Sequence, residues 1–212
     1  MSASLSLREI ARELADYEVA LPDPELEKLS LYLELLQRWN RRINLTGLRE
    51  PRAMVRRLFG ESLYISRVVE LRGRLVDVGS GAGFPGLALK LVAPDLQVTL
   101  VEARQRKCAF LKEVARECGF YAVDVVPARF ESWQKARKGP EKADLITTRA
   151  VKTTPAFLDG LAGCLKPDGK AVFSTTSRGA KETMGIGSGW NWETVVPIPN
   201  AGNSVIIVGS LL

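Results

Sequence analysis

The sequence predicts a mostly parallel, doubly wound α/β sheet behind a helical N-terminal extension, and three observations predict it. From Arg74 onward, apolar runs of strand length alternate with helical segments, the pattern of a parallel sheet covered by helices on both faces. A glycine-rich turn follows the first of these runs directly, at the place where such sheets bring backbone close to a ligand. Upstream of Arg74 the apolar residues recur at helical spacing instead. The division falls between an N-terminal helical extension, 1–72, and a sheet domain, 73–212.

In the extension, residues 1–20, 24–42 and 51–71 read as helices. Leu26, Leu29, Leu33 and Leu36 mark one face of the second, and Pro22 and Pro24 separate it from the first. The expected strands are Leu75–Val78, Val98–Val101, Val123–Val126, Leu145–Thr147 and Ala171–Ser174, with helices over 86–92, 104–118 and 155–165 between them. Trp192–Ile198 and Ser204–Val208 read as a terminal hairpin, and the Gly- and Ser-rich stretch Ser177–Gly189 as a loop.

Hydrophobic residues at 46% and charged residues at 25% suit a globular chain rather than a disordered one. No apolar run approaches the roughly 18 residues of a membrane span, and the acidic, amphipathic N-terminus does not read as a secretory signal. Cys108, Cys118 and Cys164 have no metal-ligand spacing, so no metal is expected and buried thiols in a reducing cytoplasm are. The sequence contains no histidine, so its chemistry must work without imidazole. Seven arginines (38, 41, 42, 49, 52, 56 and 57) stand against one acid, Glu50, in the stretch Arg38–Arg57, which thereby holds the entire net charge of +6. Such a run is either a solvated helix face or a surface for an anion. Arginine grips phosphate bidentately, so Arg38, Arg41, Arg42, Arg56 and Arg57 are the candidate residues for an anionic, phosphate-bearing partner.

The turn Asp77–Gly86, DVGSGAGFPG, carries Gly79, Gly81 and Gly83 at a spacing tighter than G-x-G-x-x-G. Asp77 lies inside it, where a carboxylate repels a pyrophosphate and suits a cation such as an ammonium or a sulfonium. Glu102 ends the next strand, placed either to accept from two ribose hydroxyls or simply as an exposed strand end. A nicotinamide-dependent enzyme shares that ribose acid. After the third strand stands Ala128–Glu131, in which Phe130 either stacks on a base or plugs the core. Arg149, just past the fourth strand at the crevice, either fixes a ligand group or pairs with an acid of the sheet.

Asp77–Gly86, Thr99–Leu111 (TLVEARQRKCAFL), Ala128–Glu131 and Thr148–Val151, preceded by Trp39–Thr46 (WNxxINLT), occur together in this order. The combination resembles the bacterial small-subunit ribosomal RNA guanine-N7 methyltransferase family (RsmG, also called GidB), over about residues 30–175. The resemblance implies a Rossmann-like, seven-stranded class I methyltransferase sheet. It implies S-adenosyl-L-methionine as cofactor, the small ribosomal subunit as partner, and methyl transfer to N7 of a guanine in 16S rRNA. It also implies cofactor contacts at Gly79, Phe84, Phe130, Glu131 and Arg149, with Glu102 at the ribose. No general base is expected. The family's His before Asp-Ser-Leu is replaced by Gly60-Glu61-Ser62-Leu63, with Glu for Asp. Its Lys-Arg after the ribose acid is reversed as Arg106-Lys107, and its Lys-Gly after the fifth strand is replaced near Thr175-Thr176. These altered segments read as substrate-side elements. The alternatives are a class I methyltransferase acting on another RNA, a protein or a small molecule, and a non-catalytic RNA- or nucleotide-binding relative.

Overall fold

The structure is a computed structural model and describes residues 5–136 and 142–212; the first four residues of the helix expected over 1–20 lie outside it. Ser6 starts α1 (Leu7–Ala15) by a reciprocal cap. Its hydroxyl accepts from the Glu9 amide at 3.3 Å, and the Glu9 carboxylate accepts from the Ser6 amide at 2.9 Å. The helix is thus shorter than its periodicity suggests. α2 (Asp23–Asn40) opens with Pro24 and with Asp23 and Glu25 in its first turn, as the helix dipole favours.

The single helix expected over 51–71 is broken instead into α3 (Pro51–Met54), a π-helical segment Val55–Gly60, α4 (Glu61–Leu63) and a 3₁₀ turn, Tyr64–Arg67. A Cβ on Gly60 would lie 2.3 Å from the Tyr17 ring. Glycine is therefore what lets this segment pack on α1, and Glu61 follows it directly into a buried position.

Seven strands form one sheet: β1 (Arg74–Val78), β2 (Gln97–Val101), β3 (Val123–Val126), β4 (Ala143–Arg149), β5 (Leu165–Thr176), β6 (Trp190–Pro197) and β7 (Ser204–Leu211). Their order is β3-β2-β1-β4-β5-β7-β6. β7 alone runs opposite to the other six strands. Order reverses between β1 and β4, whose registers place Val78 beside both Val101 and Thr148. The carboxyl ends there flank the crevice in which such folds bind ligands.

Residues alternate across the sheet. Leu75, Val98, Leu100, Leu145 and Val172 meet α1, α2 and α5 (Gln105–Glu117) on one face. Val76, Val78, Ile146 and Phe173 meet α6 (Phe130–Ala136), α7 (Pro155–Cys164) and α8 (Ser177–Ile186) on the other. The extension and the sheet thus share one continuous core. Two local expectations fail. Residues 86–92 are turns with a 3₁₀ segment, Ala88–Leu91, because Pro85 and the glycines of the first turn do not sustain an α-helix. Ser177–Gly189 is mostly helix α8, not loop: Thr176 caps it by accepting from the Gly179 amide at 3.1 Å, and Ala180 packs on the sheet. α6 was not foreseen.

Glu13 of α1 is buried and accepts from Arg52 at 2.7 Å and from Arg56. Burial raises its pKa, but the two guanidinium bonds more than offset that and hold it below the ordinary glutamate value. The pair's contribution to stability is therefore present above that value and lost as pH falls through the lowered one. Glu13→Ala should cost about 2 kcal/mol, less than a fully buried pair because both arginines are half-exposed. Thermal melts at neutral pH check this, and the difference from wild type should shrink in acid.

Candidate functional site

The turn after β1 is shaped by three glycines in the left-handed region: φ is +74° at Gly79, +57° at Gly81 and +89° at Gly83. The Gly79 and Ser80 amides donate to the Val101 carbonyl at 2.9 and 3.2 Å, fastening the turn to the end of β2. Gly83 faces inward, where a Cβ would lie 2.2 Å from the Tyr32 hydroxyl. That hydroxyl donates to the Ala82 carbonyl at 2.5 Å. Gly81 faces the other way, and a Cβ there would meet only ordinary contacts with Gly79 and Lys107. At Gly81 the outer surface of the turn is thus bare backbone over the carboxyl ends of β1 and β2.

Glu102 is buried at that surface. Its carboxylate accepts from the Gly81 amide at 2.9 Å and from the Arg104 amide at 2.7 Å. Each oxygen has a second lone pair, so the carboxylate is oriented by backbone and can still accept two hydroxyls. Asp77 is fully buried beneath the turn. One of its oxygens accepts from the Thr147 hydroxyl at 2.6 Å, and the other has no partner. Burial pushes its pKa up to about 6, against the Thr147 bond, which lowers it. A buried acid with an orphaned oxygen beside a bare glycine turn fits a cofactor that carries positive charge and a ribose.

The other expected contacts are placed differently. The Phe84 ring lies in the core, stacked on Tyr32 at 5.4 Å and edge-on to Phe59 at 4.8 Å. Any contact from Phe84 to a cofactor would therefore come from its backbone. Phe130 is likewise buried, its ring 5.3 Å from that of Phe157, so of its two readings the side chain follows the plug; Glu131 beside it is exposed. Arg149 donates to the Arg57 carbonyl at 2.7 Å and to Glu61 at 2.8 Å. It thus pairs with an acid, though one from the extension rather than the sheet.

Most of the arginine cluster is paired with acids in the structure rather than forming one unpaired surface. Arg38 donates to Glu113, Arg52 and Arg56 to Glu13, and Arg57 to Glu61. Arg41 and Arg42 are exposed and form no ion pair among the described residues. Arg42 instead joins Asn44, Arg104, Arg106 and Lys107 around a cavity of about 540 Å³ at the start of α5, next to Glu102 and Gly81. The sequence marks Arg106-Lys107 as a substrate-side element, but not Arg104 and not the group as one surface. The signal was present in Arg104–Lys107, three cations within four residues immediately behind the strand-end acid.

Solved structures share this fold. A ribosomal protein L11 methylase from Lactobacillus delbrueckii matches at 17% identity with a TM-score of 0.60, over 74% of this chain and 79% of its own. A SAM-dependent methyltransferase from Aquifex aeolicus matches at 16% identity with a TM-score of 0.62, over 79% of this chain and 97% of its own. The sheet and its glycine turn are those of the class I S-adenosylmethionine-dependent methyltransferases. The family described as rRNA small subunit methyltransferase G (GidB) matches residues 25–191. Members from Halorhodospira halophila and Xylella fastidiosa are 40% identical over 74% of this chain and 72% of theirs, and 38% identical over 87% of both. The chain belongs to this family and is an S-adenosylmethionine-dependent methyltransferase.

Proposed function

We propose that the chain transfers the methyl group of S-adenosylmethionine to N7 of a guanine in 16S rRNA, acting on the small ribosomal subunit in the cytoplasm. The observation that carries the RNA part is the cluster of Arg42, Arg104, Arg106 and Lys107 around a cavity beside Glu102, without ion pairs among the described residues. Uncompensated cations beside a cofactor site suit a phosphate backbone.

The cofactor supplies a methyl group activated on a positively charged sulfur. Glu102 would hold the ribose hydroxyls, the bare backbone at Gly81 would admit the cofactor closely, and Asp77 would oppose its positive end. Guanine N7 carries a lone pair and no proton. Its attack on the methyl carbon forms the N–C bond as the C–S bond breaks, the electron pair stays on sulfur, and the base becomes cationic. No proton moves, so a sequence without histidine is adequate. What the protein must supply is in-line placement and a field suited to the migrating charge. Incubating the chain with labelled cofactor and hypomethylated small subunits should label 16S rRNA; label only on protein or small molecules would defeat this reading.

Asp77 gives a pH test. Its raised pKa means that the cofactor-free fold favours the neutral acid; that contribution is full below the ordinary aspartate value and lost as pH rises through about 6. A cationic ligand favours the carboxylate instead. Cofactor affinity should therefore fall by up to about tenfold per pH unit below 6 in wild type, and Asp77→Asn should be weaker and flat. Calorimetry between pH 5 and 8 measures both.

A further inference from the structure

On the opposite side of the glycine turn from Glu102 lies a second cavity, of about 200 Å³, at the carboxyl ends of β4 and β5 and the start of β7. Glu61, Arg149, Ser174, Thr176 and Ser204 line it. It adjoins the turn, since a Cβ on Gly79 would lie 2.9 Å from the Val151 side chain, two residues past Arg149. A cofactor with its ribose on Glu102 would run across β1 toward this cavity, and a methyl acceptor held here would meet its reactive end.

Glu61 is the one carboxylate among the described residues lining it. Its side chain is only 4% exposed. One oxygen accepts from Arg57 Nε at 3.1 Å and the other from Arg149 Nη2 at 2.8 Å. Each oxygen retains a lone pair, and the two arginines fix the orientation of the carboxylate. A buried ion pair is a poor way to gain stability, and this one sits at the mouth of the crevice rather than between packed layers.

Two adjacent acceptor oxygens fit an edge with two adjacent donors. Guanine has such an edge in N1–H and N2–H. Adenine and cytosine offer one amino group there, and uracil one N–H between two carbonyls. Methylation at N7 also makes the base cationic and its N1–H a stronger donor, so a carboxylate at that edge would bind the transition state more tightly than the ground state. We propose that Glu61 is the specificity-determining residue for the acceptor base, accepting from N1–H and N2–H of a guanine held in this cavity. The inference rests on the reading that the acceptor is a guanine.

The test compares guanosine with inosine, which keeps N7, O6 and N1–H but lacks the 2-amino group. After the modified nucleotide has been mapped, single-turnover transfer is measured on RNA carrying either base at that one position. Wild type should favour guanosine by about 10-fold to 100-fold, the scale of one hydrogen bond to a charged group. Glu61→Gln should be slow on both, with a ratio near one, and Glu61→Asp should restore part of the preference. A ratio taken within one enzyme cancels any loss of folding or cofactor affinity, which a purely structural role would produce. If Glu61→Gln does not fold, the ratio in Glu61→Asp decides: a value equal to that of wild type would overturn the proposal. Equal rates on the two bases by wild type, or an unchanged ratio in Glu61→Gln, would overturn the proposal while leaving guanine methylation standing. Absence of any transfer to guanosine RNA would remove the functional reading itself.

Discussion

Glu102→Ala should weaken cofactor binding by about 3 kcal/mol, more than a hundredfold, since two charge-assisted bonds to ribose hydroxyls would be lost. The expected effect is larger than that of deleting an ordinary ligand contact, because the same carboxylate holds the Gly81 and Arg104 amides. Without it the turn loses the acceptor that fastens its middle to the end of β2. Calorimetry with S-adenosylmethionine and with its demethylated product measures the loss. Circular dichroism should show the sheet intact, since Glu102 lies just past the end of β2 and not in either apolar cluster. Unchanged affinity in a folded variant would make Glu102 a strand end and nothing more.

The second large effect is expected on RNA. Replacing Arg42, Arg104, Arg106 and Lys107 together by Glu should cut affinity for the small subunit or its RNA by at least roughly a hundredfold. It should also reduce the slope of log affinity against log salt by about three, at roughly 0.7–0.9 per lost phosphate contact. The Arg104 bond to Glu102 is made by its amide and survives the change. Arg52→Glu with Arg56→Glu is the contrasting variant. Those guanidiniums hold Glu13, so this pair should lower the melting temperature and leave the salt slope nearly unchanged. If the salt slope instead follows Arg52 and Arg56, the RNA surface lies on the extension and not beside the cofactor.

The strands were legible because a buried parallel strand is an apolar run, and all five expected parallel strands lie where their runs stand. The glycine turn was legible for a similar reason, since close backbone approach demands residues without side chains. What the sequence hid is long-range. Arg56 and Glu13 are 43 positions apart, Arg38 and Glu113 75, Arg149 and Glu61 88; a one-dimensional reading sees unpaired charge where the fold makes pairs. α8 was hidden by its Gly and Ser content, which tertiary packing of Ala180 and a Thr176 cap override. The resemblance implies a cofactor contact at Phe84, whose ring completes an aromatic cluster with Tyr32 and Phe59 and leaves its backbone to make that contact. Glu61 was visible only as a departure from a motif; its position on the crevice depends on the π-helical segment before it.

Methyl transfer to N7 of a guanine needs no proton acceptor. N7-methylguanosine is the product whose glycosidic bond becomes labile after borohydride reduction, so aniline then cleaves the RNA chain at that nucleotide. Small subunits from a strain lacking the modification, treated with this chain and S-adenosylmethionine, should give a new cleavage in 16S rRNA at one guanosine. Untreated subunits, and subunits treated with the Glu102→Ala variant at the same cofactor concentration, should give none. Incorporated methyl label without aniline cleavage would place the group on another atom, and the mechanism without a base would be wrong.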